Sequence, residues 1–267
     1  MDEQAFHRWA REKGTNHKLY RFVRAIIAPC IRLWFRPHVE GVKNIPLQGP
    51  VLICPNHKSF FDTFLIGVYC PREVRFMAKR ELMRGPATWF FPRMGVFPVA
   101  RGSSDSESME TARQLLKQGE VVVIFPEGTR IHNPRAIGSP HHGAARLALE
   151  TNTPIIPCAI KGTHKLFLGP IAKPRHVQVA FAPPVKPDAG IRELMDEAVW
   201  PAVQEAYTRQ LARPGLILSA LALLGLGAGL RARRVRQAKT RVLGVVPPTK
   251  VRRQEQLRQL KRRLKMH

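Results

Sequence analysis

The sequence predicts an α/β domain, a central mixed sheet flanked by helices, with an N-terminal amphipathic helix and a C-terminal apolar helix plus basic tail. Three observations carry that expectation. Short apolar runs alternate with stretches of helical spacing, the pattern of a sheet covered by helices. The chain has 267 residues, enough for one good-sized domain with appendages and a core that needs neither metal nor disulfides to fold. Its 44% hydrophobic content excludes a disordered chain and a polytopic membrane protein alike.

Taken in order, the first unit is 1–37, expected to be a basic helix at a membrane interface. Residues 17–36 place Leu19, Phe22, Val23, Ile26, Ile27, Cys30, Leu33 and Trp34 at helical spacing, with Lys18, Arg21, Arg24, Arg32 and Arg36 largely between them. Pro29 is expected to kink this helix. A basic amphipathic helix with aromatics suits a membrane interface. The alternative is a helix packed on the domain with a solvated basic face. The main domain is 38–213. Its apolar runs Val51–Cys54, Val74–Met77, Val121–Phe125, Ile155–Ile160 and Val177–Phe181 read as strands. Phe60–Tyr69, Ser108–Gln118, Gly143–Glu150 and Arg192–Leu211 read as the helices between and after them. No internal repeat and no glycine-rich nucleotide loop interrupts the pattern.

Beyond it, Pro214–Leu230 is a 17-residue stretch without a charge. As a helix it would span only about 25 Å, short of a ~30 Å hydrocarbon core. Residues 231–267 hold 14 Lys and Arg against one acid, Glu255. A single crossing would put this tail and the basic main domain on opposite sides of a bilayer, so insertion into one leaflet is the favoured expectation over a short tilted span or a buried helix.

A soluble enzyme of small neutral substrates rarely needs a formal charge of +25, and the excess points to membrane lipid, nucleic acid or an acidic substrate. Nucleic acid is not expected: residues 231–267 contain no Phe, Trp or Tyr for base stacking. Four widely separated cysteines, Cys30, Cys54, Cys70 and Cys158, read as reduced, mostly buried small hydrophobes. The opening Met1-Asp2-Glu3 has no early apolar run, so no signal peptide is expected.

Two segments carry chemistry. After the first strand of the main domain comes Pro55-Asn56-His57-Lys58-Ser59-Phe60-Phe61-Asp62. A helix starting near Ser59 puts His57 at the strand exit and Asp62 in the first turn. Asp62 can then hold one imidazole nitrogen while the other faces a pocket as a base, a triad's orienting logic without the serine. Imidazole suits this because its pKa of about 6.5 lies near working pH. Ser59-x-x-Asp62 also resembles a capping box, which would give Asp62 a structural job. Seventy residues on, a strand runs into Pro126-Glu127-Gly128-Thr129-Arg130. Gly128 permits a tight turn and Arg130 arrives where open α/β sheets bind ligands, with a fork suited to phosphate. The alternative is an ordinary turn with Arg130 solvated. Gly95–Arg101 likewise ends a strand-like run on an arginine.

These segments resemble the glycerophospholipid acyltransferase family, in particular its bacterial 1-acyl-sn-glycerol-3-phosphate acyltransferases. Asn56, His57 and Asp62 match its NHxxxxD motif, Gly95–Arg101 its second motif, Phe125–Arg130 its FPEGTR motif, and Thr153–Pro157 its apolar fourth. The resemblance covers about 38–185 and implies a glycerolipid acyltransferase-like fold. It implies transfer of a fatty acyl group from acyl-CoA or acyl carrier protein to a lysophospholipid hydroxyl, giving phosphatidate when the acceptor is 1-acylglycerol-3-phosphate. His57 would be the base and Asp62 its orienter. Arg101 and Arg130, with Gly128 and Thr129 shaping the turn, would hold the acceptor phosphate; Asn56 and Lys79 would be further substrate-side residues, and Glu127 a substrate-loop or structural contact. No cofactor or metal is implied, the thioester being a substrate. Anionic membrane lipids are the expected partners, and the cytoplasmic membrane face, in a peripheral or monotopic arrangement, the expected location. One departure stands out: the family's lysine before the helix after FPEGTR is absent, and Ser139-Pro140-His141-His142 stands there instead. The rivals are an acyltransferase for another lipid acceptor (glycolipid, amino-lipid or other lysophospholipid) and a non-catalytic basic membrane scaffold.

Overall fold

A computed structural model describes residues 2–99, 106–168, 171–172 and 176–209, all within one unit, Met1–Leu211. The expectations for 214–230, 231–267 and Arg101 lie outside the described residues.

The strands are β1 (His38–Glu40), β2 (Val51–Pro55), β3 (Val74–Lys79), β4 (Val96–Val99), β5 (Val121–Val123), β6 (Ile155–Lys161), the short hairpin of β7 (Phe167–Leu168) and β8 (Ile171–Ala172), and β9 (Gln178–Phe181). Seven of them form a mixed sheet in the order β1-β9-β6-β2-β5-β3-β4. Every neighbouring pair is parallel except β6 and β9. The central strands β2, β5 and β6 are apolar and buried on both sides, as a sheet covered on both faces requires.

Alternate residues of each strand serve opposite layers. Val51 and Ile53 join Val121, Val123, Ile156 and Cys158 under α2 (His17–Phe35) and α3 (Phe61–Tyr69), which contribute Ile31, Phe35, Leu65 and Ile66. Leu52, Cys54, Val122 and Ile155 face the other way. They meet Ala10 of α1 (Glu3–Glu12), Leu115 and Leu116 of α5 (Ser106–Lys117), Leu147 and Ala148 of α6 (Gly143–Thr151), and a π-helical segment, Glu193–Val199. That segment leads into α7 (Trp200–Thr208), whose Tyr207 packs on Ala159 and Ala180. One further helix, α4 (Ala87–Arg93), precedes β4.

The expected 1–37 unit is two helices with different surroundings. Asp2 caps α1 by accepting from the Ala5 amide at 2.7 Å, a contact worth about 1 kcal/mol. Phe6, His7 and Ala10 are then buried in the main domain. The apolar signal of α1 is sparse, which is why the sequence pattern passed over it. Asn16 caps α2, which continues through Pro29. One side of α2 buries Tyr20, Ile31 and Phe35; Phe22, Ile26, Leu33 and Trp34 are exposed. Strand β5 stops two residues before the expected Phe125, and that residue instead turns over His57.

Candidate active site

The site forms where the parallel strands β2, β3 and β5 release the chain at their C-terminal ends, the place open α/β sheets bind ligands. Asn56 makes the first move. Its side chain donates to the Ile160 carbonyl at 3.0 Å and accepts from the Ile160 amide at 2.7 Å, replacing a backbone rung between β2 and β6. It is fully buried. Asn56 thus terminates the ladder, its amide bonded through both nitrogen and oxygen to Ile160.

Released from the sheet, His57 packs its ring against Phe125 with centroids 4.1 Å apart. Its Nδ1 lies 3.0 Å from Asp62 Oδ2. The same oxygen accepts from the Lys58 amide at 2.7 Å and the Ser59 amide at 2.8 Å. Asp62 therefore tethers the imidazole and holds the turn into α3 at once, and the two sequence readings of it describe one side chain. Its other oxygen, Oδ1, is buried without a hydrogen-bond partner. With Nδ1 facing a carboxylate, Nε2 is left for the cleft.

The FPEGTR turn is fastened to His57 through the main chain. Glu127 Oε2 accepts from the His57 amide at 2.8 Å and Oε1 from the Gly138 amide at 2.7 Å. The Ile131 amide donates back to the His57 carbonyl at 2.9 Å. Burial raises the Glu127 carboxyl above its ordinary range, with the two amides and Lys58 pulling the other way. Of the two roles open to it in the sequence, Glu127 shows the structural one: each of its oxygens holds a backbone amide. Gly128 has φ +63, and a Cβ there would meet the His141 ring at 3.1 Å, so both backbone and space require glycine.

Gly128, Thr129 and Arg130 are exposed. Arg130 lines a cleft of about 320 Å³ together with His57, Lys79, Phe125 and His141. Lys79, at the end of β3, is half exposed and 3.6 Å from Glu81. The two histidines of the divergent segment separate: His141 faces the cleft and His142 Nε2 lies 2.8 Å from Asp196. Gly143 and Ala144, opening α6, also line the cleft. Among the described residues no cluster of His, Cys, Asp and Glu is placed to hold a metal.

Beside the cleft lies an apolar pocket of about 120 Å³. Val23 and Ile27 of α2, Phe64 of α3, and Phe90 and Phe91 of α4 line it. The two cavities share Phe60, Thr63, Met77, Ala78 and Leu82 as a common wall.

Sequence reasoning missed Lys58. Its side chain is buried, and Nζ donates to the Asn133 carbonyl at 2.9 Å and to the Ala136 carbonyl. Burial lowers its pKa, against the pull of Glu127 and Asp62. It also missed Trp200 and Tyr207, which donate to the Gly138 and Pro134 carbonyls at 3.0 and 2.7 Å. All four bonds join segments far apart in the chain, and no local spacing announces them.

Comparison with known proteins agrees with this architecture. A family model described as Acyltransferase matches residues 36–161. The chain is similar to the 1-acyl-sn-glycerol-3-phosphate acyltransferase of Bacillus subtilis (strain 168), 30% identical over 148 residues, covering 54% of this chain and 72% of that protein. It is 30% identical over 154 residues to the chloroplastic 1-acyl-sn-glycerol-3-phosphate acyltransferase LPAT1 of Arabidopsis thaliana, covering 56% of this chain and 43% of the plant protein. The crystal structure of the 1-acyl-sn-glycerophosphate (LPA) acyltransferase PlsC from Thermotoga maritima superposes with a TM-score of 0.59 at 25% identity, covering 76% of this chain and 83% of that one. A buried imidazole–carboxylate pair on a mixed sheet of this order, with relatives of this kind, leads to one conclusion: the chain is an acyltransferase and belongs to the acyltransferase family.

Proposed function

We propose that this acyltransferase moves a fatty acyl group from acyl-CoA or acyl carrier protein to the free hydroxyl of 1-acylglycerol-3-phosphate, giving phosphatidate. The observation that carries the reading is the 3.0 Å approach of His57 Nδ1 to Asp62 in a ring whose other edge lines a cleft shared with Arg130. His57 Nε2 takes the acceptor hydroxyl's proton as that oxygen attacks the thioester carbonyl carbon. A C–O bond forms; the intermediate collapses, the C–S bond breaks, and the leaving thiolate receives the proton from the imidazolium. Asp62 keeps Nδ1 protonated and steadies the cation formed midway. Arg130 and Lys79 offer positive charge to the acceptor phosphate, with Arg101 and Thr129 on the same side of the reaction. The apolar pocket across the shared wall takes the acyl chain.

The acceptor is a membrane lipid, and α2 gives the protein a surface to meet it. Phe22, Ile26, Leu33 and Trp34 are exposed on α2, and Trp89 is exposed on α4. Apolar rings beside Lys18, Arg21 and Arg32 suit an anionic interface. Among the described residues no helix is long and apolar enough to cross a membrane. A peripheral or monotopic seat on the cytoplasmic face, where thioester donors are available, fits these features.

The test is incubation of the purified protein with labelled acyl-CoA and a panel of lyso-acceptors, followed by lipid extraction. Wild type should label phosphatidate. His57→Ala should lose about 10³-fold or more of that rate while still binding vesicles. Unchanged transfer in this variant would sink the mechanism, and labelling of a phosphate-free lipid alone would sink the acceptor.

A further inference from the structure

Residues 131–138 follow Arg130 and turn their carbonyl oxygens inward. Four of these carbonyls are captured by side chains from elsewhere in the fold. Lys58 Nζ takes those of Asn133 and Ala136. The Tyr207 hydroxyl takes that of Pro134 and the Trp200 indole that of Gly138. The captors support one another, since Lys58 Nζ stands 5.2 Å from the centre of the Tyr207 ring, over its face. Lys58 is 2% exposed and Tyr207 5%, so the captors lie beneath the exposed stretch 132–136.

An ammonium suits the position for a specific reason. It is a compact charge with three donors. Two meet carbonyl oxygens converging from one loop, and the ring face lies beyond. Four inward carbonyls without a cation would leave buried partial negative charge close to the cleft that admits an anionic lipid. Arg130 is the residue this arrangement affects. Glu127 and Ile131, on either side of it, are bonded to the main chain of His57, and Glu127 is also bonded to Gly138 at the far end of the clamped stretch. The course of 131–138 therefore sets where the Arg130 backbone points.

We infer that Lys58, with Tyr207, is a positioning residue for the acceptor side of the reaction, fixing residues 131–138 and through them the aim of Arg130 into the cleft. The inference rests on the proposal that Arg130 holds the acceptor phosphate. It assigns Lys58 no contact with substrate and no proton to move. It also links α7 to the acceptor side, because Tyr207 and Trp200 frame that element.

The experiment uses Lys58→Met, which keeps length and removes charge, and Tyr207→Phe, which keeps the ring and removes only the hydroxyl. Arg130→Ala and the Lys58→Met/Arg130→Ala double variant are measured beside them. Readouts are the KM for 1-acylglycerol-3-phosphate, the KM for acyl-CoA, and the preference for that acceptor over a monoacylglycerol. Both single variants should raise the acceptor KM about tenfold and lower the phosphate preference similarly, with the donor KM within about twofold. In the Arg130→Ala background, Lys58→Met should add little, because its effect passes through the arginine. Equal rises in donor and acceptor KM, or full additivity in the double variant, would overturn the positioning role. If Lys58→Met fails to fold, Tyr207→Phe decides alone. No acceptor effect from Arg130→Ala would sink the phosphate assignment itself, a result distinct from an effective Arg130→Ala beside silent Lys58 and Tyr207 variants.

Discussion

The cleft and the apolar pocket share a wall yet are built on opposite plans. Around the cleft, polar groups are committed several times over: one Asp62 oxygen serves three donors, and both Glu127 oxygens hold backbone amides. Around the pocket, the surfaces are mostly apolar side chains from α2, α3, α4 and the edge of the sheet. On the proposed function, the first plan holds a base in one orientation and the second accepts a flexible chain. Chemistry needs the rigid side, while chain accommodation tolerates the soft one.

Asp62→Asn should break the rigid side most sharply among substitutions that spare the imidazole. Because Oδ1 has no partner, the amide nitrogen can occupy its place while the remaining oxygen keeps all three bonds. Only charge is then removed. Transfer should fall about 10²-fold with the melting temperature nearly unchanged, and unfolding would show that the charge itself holds the turn. Ala78→Phe sharpens the comparison at the shared wall. A ring there should cost long-chain acyl-CoA about tenfold in kcat/KM and spare short-chain donors; equal loss for both would separate the two cavities functionally. Glu127→Gln carries a constant cost, since an amide nitrogen replaces one acceptor of the two backbone N–H groups, and beside it a small pH-dependent one. Burial raises this carboxyl, so just above pH 4.5 the folded protein binds its proton more readily than the unfolded chain. Glu127 therefore costs stability as pH rises through that window. The melting temperature of wild type relative to Glu127→Gln should decline as pH climbs from 4.5 toward neutrality, and a difference independent of pH would show no such cost.

The sheet was legible because its central strands are apolar on both faces, so runs such as Val51–Cys54 and Val121–Val123 stand out without periodicity. The proximity of His57 and Asp62 was legible because five residues across a strand–helix turn leave few geometries. The pairing of Asn56 with Ile160 was not, since it joins positions 104 apart and leaves no local trace. Nothing near Lys58 in the sequence marks it out, and only the fold brings Asn133 and Ala136 to it. Helix α1 was missed for a different reason: its few apolar residues need only a short stripe to bury against α5 and β4.

The amide of Asn56 that completes the sheet ladder has a further implication. It stops the strand at a fixed residue with no slack, so the imidazole needs no substrate to bring it into register. If the proposed function holds, an enzyme armed in this way does not wait for its acceptor, and water competes with the acceptor hydroxyl for the acyl group. Futile hydrolysis is then restrained only as far as the cleft is kept dry.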